Sequence, residues 1–157
     1  MKQSARRWQR ILSYFLFIIY LIVLCYFLFF SEAYGRNEGA GAYRYNLVLF
    51  REIKRFYQYR DIIGSKSVLI NLFGNVAAFV PYGFFLPLLW PRMRRLFWIL
   101  CSSLCFSLLV ESIQLLYQVG TFDVDDLFLN TLGGVFGYIL LQLFLWRRRA
   151  GRNRKKR

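Results

Sequence analysis

The feature that most constrains this chain is its set of long, charge-poor apolar runs. Ile11 to Phe30 carries no charged residue for 20 positions. At 1.5 Å per helical residue that is about 30 Å, the thickness of a bilayer's hydrocarbon core. Val68 to Trp90, Leu96 to Tyr117 and Leu127 to Trp146 follow at similar length. Hydrocarbon offers no partner to a bare N–H or C=O, so such segments cross as helices. The sequence therefore predicts an all-α fold, a four-helix transmembrane bundle over 11–146. A cytoplasmic N-terminus at 1–10 precedes it and a basic cytoplasmic tail at 147–157 follows. Ser31-Glu32-Ala33 loosely resembles a signal-peptide cleavage site, but the run before it is too long for an h-region and reads as a retained span.

Composition agrees. The chain is 57% hydrophobic with a mean hydropathy of +0.36, against about 45–50% apolar in a soluble domain. The net charge of +14 would suit nucleic acid, but the cations lie between apolar runs and in the tail, the membrane pattern. No nucleic-acid partner is expected. Four Lys/Arg precede the first span, three sit in Pro91-Arg92-Met93-Arg94-Arg95 and eight crowd the tail. The loop between spans three and four has none, so both termini read as inside. The first outer loop, Ser31 to Ser67, holds seven and runs against that rule.

Within that loop, Gly35, Gly39 and Gly41 mark a flexible beginning. Asn46 to Arg60 then reads as a short amphipathic helix. Leu49, Phe50, Ile53, Phe56 and Tyr57 share one side, and Arg51, Glu52, Lys54, Arg55 and Gln58 share the other. It is too short to span, so it is placed on the outer surface. The absence of histidine excludes His-metal sites and Ser-His-Asp catalysis. Cys25, Cys101 and Cys105 all lie in apolar runs and read as small hydrophobes. No cofactor is implied.

The informative residues are the polar ones inside the spans. Asn71 and Asn75 are one turn apart on one face of span two, followed by Pro81, Gly83 and Pro87. A kink near Pro81, or a broken or re-entrant segment, is expected. In span three Glu111, Gln114 and Gln118 form one stripe, with Glu111 about 9 Å below the outer boundary. A carboxylate in hydrocarbon is costly and marks a functional site by default. Asp123, Asp125 and Asp126 lead into span four, which carries Asn130 and a small-residue stripe of Gly133, Gly134 and Gly137 suited to close helix approach. A four-span topology gathers these residues at the outer end, as a polar pocket. Three other readings stand beside it: hydrogen bonding between helices alone, a Ca²⁺- or Mg²⁺-type site on Glu111, Asp123, Asp125 and Asp126 that matches no EF-hand spacing, and Asp125 or Asp126 capping span four.

Three ordered motifs resemble the VanZ-like family of bacterial membrane proteins. Asn75 to Pro87 looks like its N-x-x-x-F-x-P-x-G-x-x-x-P segment, Glu111-Ser112-Ile113-Gln114 like its E-x-x-Q, and Asp123 to Gly134 like its D-x-x-D-x-x-x-N-T-x-G-G run. Asn46-Leu47-Val48-Leu49-Phe50 resembles N-L-x-P-F, with Leu49 in place of the proline. The resemblance implies an envelope protein associated with teicoplanin susceptibility in Gram-positive bacteria. The reading preferred is a non-enzymatic protein whose outer pocket binds a membrane lipid or a lipoglycopeptide. An intramembrane enzyme acting on a lipid-linked envelope precursor, with Glu111 and Asp126 as acid and base, is the alternative, followed by a small cation or proton transporter.

Overall fold

A computed structural model of the protein describes residues 2–30, 43–58 and 65–154. Its elements are α1 (Lys2–Phe30), β1 (Tyr45–Asn46), α2 (Arg51–Gln58), α3 (Ser65–Leu89), a 3-10 turn at Pro91–Met93, α4 (Leu96–Leu116), β2 (Phe122–Asp123) and α5 (Val124–Arg154). Four of the helices contain stretches long and apolar enough to cross a membrane: Arg7–Phe29, Leu72–Leu89, Leu96–Leu116 and Val124–Gly151. The turn with Arg92, Arg94 and Arg95 lies at one end of the bundle, the basic end. The two short strands and α2 lie at the other, the acidic end.

α3 packs most extensively on α5, then α5 on α4. Glycine makes this possible. A Cβ on Gly137 would lie 2.0 Å from the Val80 carbonyl oxygen, and one on Gly133 2.2 Å from that of Val76. One on Gly83 would lie 1.8 Å from the Gly134 carbonyl oxygen. No side chain fits there, so the two backbones touch along a seam, as the small-residue stripe predicts.

α1 is attached differently. Phe17 is buried with Tyr82 and Leu89 of α3 and faces the rings of Tyr82, Phe85 and Trp90 at 6.0–6.3 Å. Tyr82 in turn stacks on Phe106 of α4, centroids 4.9 Å apart. Most of the remaining α1 surface, including Ile11, Phe15, Ile18 and Ile22, is exposed.

α3 is one continuous helix through Pro81 and Pro87, so the broken or re-entrant alternative does not hold. Proline removes a backbone donor, and a neighbour must supply one. Pro81 lacks the N–H that would reach the Ala77 carbonyl, and, one residue on, the Tyr20 hydroxyl of α1 donates to the Ala78 carbonyl at 2.7 Å. Near the basic end Arg94 Nε donates to the Pro87 carbonyl at 3.2 Å.

The amphipathic helix of the first loop is shorter than its wheel suggests, Arg51–Gln58 among the described residues. Residues 45–46 are extended, because they pair with 122–123. Phe50 sits at φ 64, a left-handed conformation that stops a helix from running through it. The glycine-marked start of the loop lies outside the described residues.

Candidate functional site

β1 and β2 form a two-residue parallel bridge in the register Tyr45↔Phe122 and Asn46↔Asp123. Side chains reinforce it. Asn46 Nδ2 donates to Asp123 Oδ1 at 3.0 Å, and Asn46 Oδ1 accepts the Val48 N–H at 3.2 Å, an Asx turn that redirects the chain. The same Asp123 oxygen accepts the Asp125 N–H at 2.8 Å. Asp123 is therefore the N-cap of α5. Its own N–H donates to Glu111 Oε2 at 3.1 Å, so the carboxylate inside α4 holds the loop that begins α5.

The Asp125 side chain turns away from its own helix. One oxygen accepts the Phe50 N–H and the other the Ile53 N–H at 3.2 Å. These are free donors at the start of α2, so Asp125 caps α2 from a position 72–75 residues away in sequence. The expectation that Asp125 or Asp126 caps span four is corrected: Asp123 does. Both residues still lie in the first turn of α5, where negative charge opposes the positive end of the helix dipole.

Asn75 on α3 donates to Asp126 Oδ1, joining α3 to α5. About one turn deeper, Asn130 Nδ2 donates to Ser107 Oγ of α4 at 2.9 Å. Gln114 points to α1, donating to the Leu28 carbonyl at 2.7 Å. Gln118 is not on the Glu111 stripe. α4 ends at Leu116, and Gln118 adopts φ 54. Its N–H meets the Leu115 carbonyl and the Val119 N–H meets that of Gln114, the Schellman ending usually built on glycine. Asn71 lies in α3, and its side chain is outside the described residues.

The acidic end thus unites Glu111, Asp123 and Asp125 with Asn46, and beside them Asn75 with Asp126. Sequence reasoning missed three members. Asn46 was visible only as the first residue of a short motif. Ser103 and Ser107 lie eight and four positions before Glu111, on its helix face, and all three are buried. Serine inside an apolar run carries little signal, although that spacing could have found them. Among the described residues, Ser103 Oγ and Asn130 Oδ1 are buried without a hydrogen-bond partner.

Burial pushes the Asp123 carboxyl above its ordinary value of 3.8. The Asp125 N–H, the Asn46 amide and the Arg55 charge oppose this, and the Asp125 charge adds to it. Among the described residues no group of three His, Cys, Asp or Glu is placed to hold a metal ion, so the hard-cation reading gains no support.

Comparison with known proteins adds one finding. The family model described as VanZ/LLP1 matches residues 17–145. The chain belongs to the VanZ/LLP1 family. The matched span of this VanZ/LLP1 protein includes every motif quoted above, from Asn46 through Gly134. Family and four apolar helices together make it a multi-pass membrane protein. No curated protein and no solved structure matches the chain.

Proposed function

We propose that this VanZ/LLP1 protein is a non-catalytic component of the cell envelope. It binds a lipid headgroup, or an amphiphile such as a teicoplanin-type lipoglycopeptide, at its acidic end. The observation that carries this reading is the latch made by Asn46, Asp123 and Asp125. The buried carboxylates hold backbone N–H groups and so fix residues 44–55 across the end of the bundle. Arg44, Arg51, Lys54 and Arg55 are exposed there, among exposed Tyr43, Tyr45, Leu47 and Val48. Cations interleaved with aromatic and aliphatic side chains suit an anionic amphiphile at a membrane interface. The count of Lys/Arg near the spans favours this end as the outer one.

Teicoplanin susceptibility in a Gram-positive host expressing the protein tests the reading. The wild-type chain is expected to shift susceptibility. Glu111→Gln, Asp125→Ala and the double variant Arg51→Gln/Lys54→Gln are expected to abolish the shift at unchanged membrane levels. Retention of the shift in all three well-inserted variants rejects the reading.

A second reading, a cation or proton path, draws on the buried column of Ser103, Ser107 and Asn130 beneath Glu111. Proton uptake by proteoliposomes carrying a pH dye, lost in Glu111→Gln, would support it. Vesicles no leakier than empty ones would reject it.

A further inference from the structure

At the acidic end of the spans, α1 and α3 do not close against each other. A cavity of about 250 Å³ separates them, walled by Leu24, Phe27 and Leu28 of α1 and by Gly74, Ala78 and Pro81 of α3. We propose that this groove holds one acyl chain of a membrane lipid, admitted sideways from the bilayer, with the lipid's polar linkage beside Asn75.

The groove arises from a mismatch of side-chain size. α3 offers Gly74, Ala77 and Ala78 where α1 offers Val23, Phe27 and Leu28. In the α3–α5 seam, small residues bring backbones into contact; here they leave a hollow. Both walls lie in stretches apolar enough to cross the membrane, and Val23 and Phe27 at the groove are themselves exposed. Its opening therefore faces hydrocarbon. An apolar hollow does not hold water, and an empty one forfeits the dispersion contacts of its lining. The material at hand to fill it is an acyl chain.

Length and polarity agree with one chain bound near its head. Gly74 to Pro81 rises about 10 Å, roughly a third of the hydrocarbon thickness, and on the side of the acidic end. The groove thus takes the part of a chain nearest the glycerol. Of the two polar side chains in its wall, Tyr20 is engaged by the Ala78 carbonyl. Asn75 is the other, and its amide donates to Asp126 at the edge of the polar cluster. Asn75 therefore belongs to both the apolar groove and the acidic end, the arrangement an amphiphile requires. The Gln114 bond to the Leu28 carbonyl ties α1 to α4 at the rim of the slot. This inference rests on the proposed function in that it supplies the apolar half of the same ligand.

The test uses the full chain in phosphatidylcholine vesicles with a trace of phosphatidylcholine bearing a diazirine on one acyl chain. After irradiation, adducts are located by peptide mass spectrometry. Labelling at 20–28 and 74–81 is expected to exceed that on the exposed face of α4 around Leu104 and Leu108. Ala78→Leu, which fills the slot, is expected to lower labelling of 20–28 about tenfold, the change that 1.4 kcal/mol of lost contact would give. Phe136→Ala, on an exposed face of α5, is expected to leave it unchanged. Wild-type labelling that is uniform over all exposed faces overturns the proposal, whether or not Ala78→Leu folds. So does enrichment in the groove that Ala78→Leu leaves intact. If teicoplanin susceptibility never responds to Glu111→Gln while groove labelling persists, the proposed function fails and the acyl-chain site stands.

Discussion

α3 faces two neighbours and meets them in opposite ways. Against α5 it presents Val76, Val80 and Gly83, and the backbones touch through Gly133, Gly134 and Gly137. Against α1 it presents Tyr82 and Phe85 to Phe17, with a groove above them. The seam has no spare volume and the aromatic face has some. In a bilayer, where burying apolar surface against lipid gains little, close backbone approach is what holds helices together, and large side chains tune the fit. α3 and α5 are accordingly the rigid pair, and α1 is the helix that leaves room for something else.

The largest expected effect breaks the seam. Gly137→Leu should destabilise the bundle by about 3 kcal/mol or more, since the Val80 backbone cannot move aside. Unfolding of the purified protein in a mixed-detergent titration measures it. A loss under about 1 kcal/mol would mean the seam is not tight. Next, Asp125→Ala strips α2 of its cap at a cost of about 2 kcal/mol, felt locally. Amide exchange over 50–56 should quicken while exchange in α3 and α5 stays unchanged. On the looser side, Tyr20→Phe removes one hydrogen bond between α1 and α3 and should cost only about 0.6 kcal/mol in the same titration. A cost near that of Gly137→Leu would erase the contrast between the two faces.

The smallest effect is a slope with pH. The raised Asp123 carboxyl means the folded state holds a proton that the unfolded state has lost. Stability therefore falls as pH rises from the unfolded value near 3.8 through the raised folded value, and stays lowered above it. Asp123→Asn keeps an oxygen to accept from Asn46 and from the Asp125 N–H. It should flatten that slope without loss of stability at neutral pH.

The four spans were legible because hydrocarbon leaves the backbone no other option, and the glycine stripe because only glycine allows contact at that distance. Helix rise placed Asn75, Glu111 and Asp126 toward one end of the spans, whereas Asn130 lies about a turn deeper, on Ser107. What was not legible is which partner each carboxylate would find. The wheel over Asn46 to Arg60 could not register that Asn46 meets Asp123 across 77 residues. That pairing, with the left-handed Phe50, makes the first five positions of the wheel something other than helix. Likewise Asp125 looked like a cap for its own helix, because propensity knows only neighbours in sequence. Gln118 seemed to extend a stripe that a Schellman turn had already ended.

The long-range cap also orders events during synthesis. Phe50 leaves the ribosome 75 residues before Asp125 does, and three further membrane-crossing stretches follow α1. Until the last of these begins to emerge, the Phe50 and Ile53 N–H groups lack the carboxylate that caps them. The segment carrying the exposed cations is thus settled last, once the final hairpin arrives. Its arrangement reports that the whole bundle has been assembled.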